Sequence, residues 1–323
     1  MSPRAGREDQ ALRIEYHRTL IADQVRNEAL FAALKAVIRP GHTSVADVGA
    51  GTGLLGLMAS KLGAKTVYLY ETAEVAGVAA QILKANKARN CHLMPCHSTE
   101  MRDPPQVDVV ISETLGNYAL EENIIDTIAD ARKRFLKPGG VIIPNRIQQF
   151  VAPVIADRIH QELSAWDDIG HGLDLSPARA MSFNNAYVRA IKPSELLDQG
   201  HSARTWDTVD LTLDSKSSRQ GDVSWRFSAP APVYGFAVWW TADLSPGITL
   251  STAPDAPGTH WEQLYFPLQS PLKAGTGEAV TVSLRSTSSE AGGTHLAWTA
   301  VHSGAKGKSL SRQAQDLNKG WIP

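Results

Sequence analysis

Between residues 45 and 145, short apolar runs alternate with amphipathic segments, and this alternation restricts the possible folds more than any other feature. Four segments have the length and apolar content of buried strands, namely 45–48, 66–70, 107–112 and 141–143. The segments with helical spacing lie between them, at 54–62, 73–87 and 122–136. Because parallel strands are joined by right-handed crossover helices, this order predicts an α/β domain with a parallel sheet.

The sequence on either side of this region differs in composition and in the spacing of its apolar residues. Residues 10–38 show helical spacing of apolar positions and end at Pro40-Gly41, which predicts an N-terminal helical segment over residues 1–40. Residues 150–323 are rich in Ser, Thr, Pro, Gly and Trp with short alternating stretches, which is typical of an antiparallel sandwich or barrel. Residues 158–192 lack this alternating strand pattern, which predicts an inserted helical arm. Trp239-Trp240 is predicted to lie in the core.

Composition excludes several classes of function. Net charge is −1, from 32 basic and 33 acidic residues, without the basic surplus of a nucleic-acid or anionic-membrane binder. No run of about eighteen apolar residues is present and the N-terminus lacks an apolar core, so neither a membrane span nor a signal peptide is expected. The two cysteines, Cys91 and Cys96, have no metal-like or disulfide-rich pattern, which predicts a reducing, cytoplasmic compartment and no metal site.

A glycine-rich loop follows the first predicted strand and opens a helix. It runs from Asp47 through Gly49 and Gly51 to Gly53, and Glu71 ends the next predicted strand eighteen positions later. Glycines let the backbone approach a ligand closely, and a carboxylate at that strand end can accept hydrogen bonds from ribose hydroxyls. The spacing G-x-G-x-G departs from the dinucleotide pattern G-x-G-x-x-G and favours S-adenosylmethionine over NAD.

Two glutamates nine positions apart, Glu113 and Glu122, follow the predicted strand at 107–112. Two carboxylates beside a cofactor pocket suit a cationic or proton-bearing acceptor. Glu121 is interpreted as a helix-start residue that the helix dipole favours.

Taken together, these segments resemble the protein arginine methyltransferase family over most of residues 15–275. The similar stretches are residues 20–26, the glycine loop at 45–53, the glutamate loop at 112–122, the arm region at 166–176 and Thr259-His260-Trp261. The resemblance implies a Rossmann-like S-adenosylmethionine domain at 41–145. A β-barrel-like substrate domain at 146–323, with a dimerisation arm at about 158–192, would follow it and form a homodimer.

Carried over residue by residue, the resemblance implies a cofactor site. Arg26 would bind the methionine carboxylate, His17 would lie in the same pocket, and Gly49 would lie against the cofactor. Glu71 would hold the ribose. The adenine contact falls in 98–100, where either Thr99 or Glu100 occupies the family's acidic position.

For the acceptor, the resemblance implies that Glu113 and Glu122 grip an arginine guanidinium and that His260 faces Asp23 across the domain boundary. Either a nearby carboxylate or the Asp23–His260 pair could accept the proton that leaves during transfer.

The sequence also departs from the family pattern. Arg7 and Ala11 occupy the places of two aromatic residues on a helix before His17. Around the glutamates, Thr114-Leu115 replaces Trp-Met and Asn117 replaces a tyrosine, while Leu20 takes the place of a methionine. These changes leave open whether the acceptor is a protein arginine, free arginine or another small guanidine or amine. A non-catalytic dimeric binding module and an NAD-dependent oxidoreductase are the alternatives from other classes.

Overall fold

The computed structural model describes residues 14–289 and 292–319, beginning with two helices where the sequence predicts one. The first, α1, spans Ile14–Ala22 and the second, α2, spans Gln24–Val37. Asp23 separates them with extended backbone angles and caps α2 by accepting a hydrogen bond from the Arg26 amide at 2.9 Å. An aspartate in this position pairs a free amide of the first helical turn, which explains the break. Arg7 and Ala11 lie outside the described residues.

A five-stranded parallel sheet forms the next part of the chain, in the order β3-β2-β1-β4-β5. Its elements are β1 Ser44–Val48, α3 Leu54–Lys61, β2 Thr66–Tyr70, α4 Val75–Ala85, β3 Cys91–Met94, β4 Val107–Ile111, α5 Ile124–Arg134 and β5 Leu136–Ile143. The predicted parallel α/β sheet is confirmed. The strand order reverses between β1 and β4, and ligands of open α/β sheets bind at such a switch point.

Two parts of this sheet differ from the sequence prediction. β3 is a four-residue edge strand with half-exposed side chains, and its short, partly polar segment gave no strand signal. β5 begins at Leu136 and includes Lys137–Gly140, whereas the sequence predicts a strand only at 141–143. The register between β4 and β5 shifts between Val107 and Val109, which accommodates the proline and glycines inside the strand.

The remainder is antiparallel and forms two sheets. One has the order β7-β12-β10-β6-β8 with β11 paired to β10, and the other has the order β15-β14-β13-β9. The strands are β6 Arg146–Val154, β7 Tyr187–Arg189, β8 Arg204–Asp210, β9 Ser218–Arg226, β10 Ala231–Ser245, β11 Ile248–Ser251, β12 Gln263–Ala274, β13 Ala279–Ser289, β14 Gly293–Ser303 and β15 Ser309–Asp316. We call this part the β-domain. The predicted antiparallel β-structure is confirmed.

Helices α6 (Arg158–Leu163) and α7 (Ser176–Phe183) interrupt the strands where the sequence predicts an arm. The C-terminal end of that predicted segment, β7, belongs to the sheet instead. A small apolar cluster that includes Ile159, Leu163 and Phe183 anchors these helices, whereas the main core runs continuously through both domains. Among the described residues, no helix is long and apolar enough to cross a membrane.

Candidate active site at the carboxyl edge of the parallel sheet

A cavity of about 240 Å³ opens where the ends of β1, β2 and β4 meet α1 and α2. The loop after β1 forms one wall, the loop after β4 forms the opposite wall, and α1 lies across them. Seven of the residues predicted from the sequence line this cavity: His17, Arg26, Gly49, Gly51, Glu71, Glu113 and Glu122. The strand-order reversal therefore brings the predicted cofactor residues and both glutamates to one cavity.

The glycine loop presents bare backbone to the cavity. Gly49 and Gly51 have positive φ angles of 74° and 54°, a region that side chains disfavour. A Cβ on Gly49 would lie 2.8 Å from Cγ2 of Thr114, and one on Gly51 would lie 3.1 Å from the His17 ring. Both positions therefore require glycine, because the opposite wall and α1 approach the loop closely.

Glu71 closes the glycine loop from the end of β2. Its two carboxylate oxygens accept hydrogen bonds from the Gly51 and Ala73 amides, each at 2.8 Å. A carboxylate has about four acceptor positions, so oxygens fixed in this way can still accept from a ligand hydroxyl. Glu71 is thus held in place at the cavity wall.

Four predicted cofactor residues do not line the cavity. Asp47 is fully buried beneath the loop and accepts a hydrogen bond from the Gly56 amide at 2.8 Å, and this burial raises its pKa to about 7. Gly53 faces core side chains of β2 and α4. These two residues shape the loop from behind, because the carboxylate ties it to α3 and the glycine allows close packing.

Thr99 and Glu100 do not line the cavity either and belong to a short 3-10 helix at Ser98–Glu100. The Thr99 hydroxyl lies 2.6 Å from Nδ1 of His97, and the Glu100 carboxylate accepts from the His97 amide at 3.3 Å. Their polar groups complete a helix cap, and neither residue is distinguished as an adenine contact.

Arg26 and Glu113 form an ion pair in the cavity wall. The Arg26 Nε donates to Oε2 of Glu113 at 2.7 Å, and its Nη2 contacts the same oxygen. The two side chains are only 6% and 4% exposed. Burial raises the pKa of the Glu113 carboxyl, while the charge and hydrogen bonds of Arg26 act in the opposite direction. The predicted cofactor arginine therefore also fixes one of the two carboxylates predicted for the acceptor.

Glu122 occupies a different electrostatic environment. Its side chain is accessible from the cavity and, within the described chain, has no hydrogen-bond partner. Glu122 is exposed as a residue, yet desolvation of its carboxyl group at the cavity raises its pKa to about 8. The negative charges of Glu113, Glu121 and Glu71 contribute to the same shift. A carboxyl of this kind can hold or release a proton near neutral pH.

Asp23 and His260 pair across the boundary between the domains, as the resemblance implies, but neither side chain lines the cavity. Oδ2 of Asp23 lies 2.8 Å from the His260 amide nitrogen and 2.7 Å from Nδ1 of the ring. Burial lowers the pKa of His260 against the opposing effect of Asp23, which favours a neutral ring that donates from Nδ1. The pair supports α2, the helix that carries Arg26.

Tyr16 lines the cavity beside the glutamates, although no role was predicted for it. Burial raises the pKa of its hydroxyl, and the negative charges of Glu122 and Glu113 act in the same direction. Its ring makes edge contacts with the rings of His17 and His260, at centroid distances of 6.2 and 6.5 Å. Its place one turn before Leu20, which also lines the cavity, is the signal that could have identified it.

Two protein families match parts of the chain. Residues 146–299 match "Arginine methyltransferase oligomerization subdomain", and residues 28–167 match "Ribosomal protein L11 methyltransferase". The first match spans most of the β-domain and the arm, and the second spans the parallel sheet with its cavity.

Solved structures share the whole architecture. The Trypanosoma brucei PRMT1 enzyme-prozyme heterotetrameric complex with AdoHcy superposes with a TM-score of 0.84 at 23% identity, covering 95% of this chain and 99% of that chain. Arabidopsis thaliana protein arginine methyltransferase 10 gives a TM-score of 0.79 at 23% identity, with the same coverage. At these identities the likeness establishes the fold.

Sequence relatives carry the same family name. Protein arginine N-methyltransferase 6 of Xenopus tropicalis is 29% identical over 299 residues, which cover 88% of this chain and 86% of the relative. Protein arginine N-methyltransferase 1 of Schizosaccharomyces pombe is 30% identical over 282 residues, which cover 82% of this chain and 79% of the relative. The chain therefore belongs to the protein arginine N-methyltransferase family.

Proposed function

We propose that this chain transfers a methyl group from S-adenosylmethionine to an arginine guanidinium of a protein or peptide. In this proposal residues 41–145 hold the cofactor, residues 146–323 form the substrate side, and Glu113 and Glu122 bind the guanidinium. The main support for this proposal is that both glutamates line the same cavity as the glycine loop and Glu71.

The cavity suits S-adenosylmethionine in shape and in polar groups. Gly49 and Gly51 offer backbone without side chains, Glu71 offers acceptors for a ribose, and Arg26 offers a guanidinium for a carboxylate. Nε2 of His17 is a buried nitrogen without a partner in the described chain, so a polar ligand group would satisfy it. When bound, this cofactor supplies an electrophilic methyl group on a positively charged sulfur.

The charges of the cavity match those of both ligands. Three carboxylates (Glu71, Glu113 and Glu122) and the Arg26 guanidinium line it, which gives a formal charge of −2 when all are ionised. S-adenosylmethionine and a guanidinium each carry one net positive charge. Two such charges about 4 Å apart repel by about 4 kcal/mol at an effective dielectric of about 20. The carboxylates offset this repulsion and hold the guanidinium plane in a fixed orientation.

We assign different roles to the two glutamates. Glu113 is fixed by Arg26, so it orients the guanidinium without needing to change its protonation state. Glu122 faces the cavity with a raised pKa, so it is the carboxylate that accepts the proton released when the nitrogen is methylated. The Asp23–His260 pair does not reach the cavity and acts through α2.

The pH dependence of kcat/KM for the acceptor tests the role of Glu122. Because its pKa is raised, Glu122 is largely protonated below that pKa, and cation binding requires the ionised form. We expect kcat/KM to rise roughly tenfold per pH unit until Glu122 ionises and then to level off. The cofactor's positive charge would bring that midpoint below about 8. In Glu122→Gln the rising limb should be absent, and a limb that persists unchanged would assign the titration to another group.

Transfer of a labelled methyl group tests the acceptor class. We expect a peptide containing arginine to be labelled, while the same peptide with lysine in that place stays unlabelled. Labelling of free arginine alone would favour the small-guanidine alternative. Cofactor binding without any methylated product would favour a non-catalytic module, and calorimetric binding of NAD instead of S-adenosylmethionine would favour an oxidoreductase.

We also propose that the chain forms a homodimer through its arm. Four large apolar side chains of the arm are 40–61% exposed, namely Trp166, Ile169, Leu173 and Met181. The arm also lies within residues 146–299, which match an arginine methyltransferase oligomerization subdomain. Light scattering at micromolar concentration should give a dimer mass, and Leu173→Asp should give a monomer. Leu213→Asp, at a 75% exposed leucine outside the arm, is the control that should stay dimeric. A monomeric wild type would contradict the proposal.

For the cellular setting, we propose a reducing cytoplasm and no nucleic-acid or membrane partner. The balanced net charge of −1 and the free thiols of Cys91 and Cys96 support this. Fractionation that recovers the protein with membranes or nucleic acid would contradict it.

A further inference from the structure

The loop that carries both glutamates has little structure of its own. Residues 112–122 connect β4 to α5 without a helix or a strand, and a turn hydrogen bond of 2.9 Å joins the Glu121 amide to the Tyr118 carbonyl. Buried backbone carbonyls need partners, so the conformation of this loop depends on groups outside it.

Two buried tryptophans of the β-domain supply such partners to consecutive carbonyls. The Trp261 indole Nε1 donates to the Leu115 carbonyl at 3.0 Å, and the Trp240 indole Nε1 donates to the Gly116 carbonyl at 3.0 Å. The two rings meet edge to face, with centroids 5.0 Å apart. The β-domain thereby holds the middle of the glutamate loop.

Trp240 is itself fixed in β10. Its amide donates to Oγ1 of Thr252 at 3.2 Å, and its carbonyl accepts from the Thr252 amide at 2.9 Å. On its other side β10 pairs with β6, opposite Gln149. The indole donor therefore stands at a defined position relative to the loop.

The carbonyl that Trp240 holds has little access to another donor. Gly116 is buried, and the Glu121 side chain packs across it so closely that no Cβ would fit. Because Gly116 is buried, removal of the indole N–H would leave its carbonyl unpaired. The loop would then shift to find a new partner.

We propose that Trp240 is a positioning residue for the acceptor site. By holding the Gly116 carbonyl from β10, it sets where Glu113, three residues before, and Glu122, six residues after, enter the cavity. The indole does not line the cavity, so it acts through the loop alone. The inference rests on the proposed function, since it takes these glutamates as the acceptor clamp.

Trp240→Phe tests this proposal, with Trp298→Phe as the matched control. Trp298 is also 1% exposed and also donates its indole N–H to a carbonyl at 3.0 Å, that of Pro267, away from the loop. A misplacement of about 1 Å can cost about 10²-fold, so we expect Trp240→Phe to lower kcat by about 10- to 100-fold. The cofactor Kd should change by a smaller factor than kcat, since the glycine loop and Glu71 keep their own hydrogen bonds. Trp298→Phe should keep kcat while losing similar thermal stability.

Hydrogen exchange followed by mass spectrometry gives a second readout that needs no turnover. Peptides spanning 113–122 should exchange faster in Trp240→Phe than in Trp298→Phe. Equal exchange and equal kcat in the two variants would overturn the proposal while leaving the proposed function intact. If the wild type transfers no methyl group, the proposed function fails, and equal exchange alone then overturns the role of Trp240. Should Trp240→Phe not fold, Thr252→Val removes the hydroxyl that accepts the Trp240 amide and so loosens the backbone that carries the indole. This variant should raise exchange in 113–122, and unchanged exchange would overturn the proposal.

Discussion

Glu113→Gln is expected to lower kcat for methyl transfer to an arginine peptide by about 10²- to 10³-fold, the loss typical of removing one group that stabilises charge in a transition state. Glutamine keeps the shape of the side chain but removes its negative charge. A guanidinium then meets a cationic cofactor with one counter-charge fewer. The buried Arg26 guanidinium also loses its ionic partner, which is only 4% exposed. Steady-state kinetics with saturating cofactor measures this loss.

Glu28→Gln is the matched control, because Glu28 is an exposed carboxylate on the same helix as Arg26. This variant should keep kcat within about twofold, since surface substitutions away from a site have small effects. Full turnover by Glu113→Gln on the preferred acceptor would show that the carboxylate clamp is wrong.

Gly49→Ala should weaken S-adenosylmethionine binding by at least about 30-fold. An alanine at φ 74° costs about 1–2 kcal/mol in backbone strain. Its Cβ would also lie 2.8 Å from Cγ2 of Thr114, so the loop and the opposite wall must move apart. Calorimetric titration with the cofactor measures the change in Kd.

Gly41→Ala separates backbone strain from the contact. Gly41 has the same φ of 74° and nothing within 4 Å of its added Cβ, so this variant should lose stability but keep cofactor affinity. Thr114→Ser removes the methyl group that clashes and should restore part of the affinity when combined with Gly49→Ala. Wild-type affinity in Gly49→Ala, or no recovery in the double variant, would contradict the close approach of the two walls.

The sequence predicted the features that are encoded locally. Periodicity identified the parallel sheet, and the glycine spacing placed Gly49 and Gly51 at the cavity. The carboxylates of Glu71, Glu113 and Glu122 each follow a predicted strand, so the shared edge of the sheet brought them together. Position after a strand in a known sheet order is sufficient to predict the shared edge, whereas the conformation of the loop that carries Glu113 and Glu122 also depends on the β-domain.

Contacts between residues that are far apart in the sequence could not be predicted from local patterns. The Asp23 break in the N-terminal helix depends partly on a hydrogen bond to His260, 237 positions away. The contact of Trp240 with Gly116 spans 124 positions, and the alternation around Trp240 indicated only a core residue. The adenine contact at Thr99 or Glu100 stays a prediction, because a carboxylate that caps a short helix has the same local signature as one that faces a ligand.

Tandem mass spectrometry of an arginine peptide after reaction, beside the same peptide carrying citrulline, tests the central proposal most directly. Citrulline keeps the shape of arginine but has no charge. We predict methylation on a guanidinium nitrogen of the arginine peptide, whereas the citrulline peptide is neither methylated nor an effective competitor. Methylation at another side chain, or equal competition by the citrulline peptide, would contradict a carboxylate clamp for an arginine guanidinium.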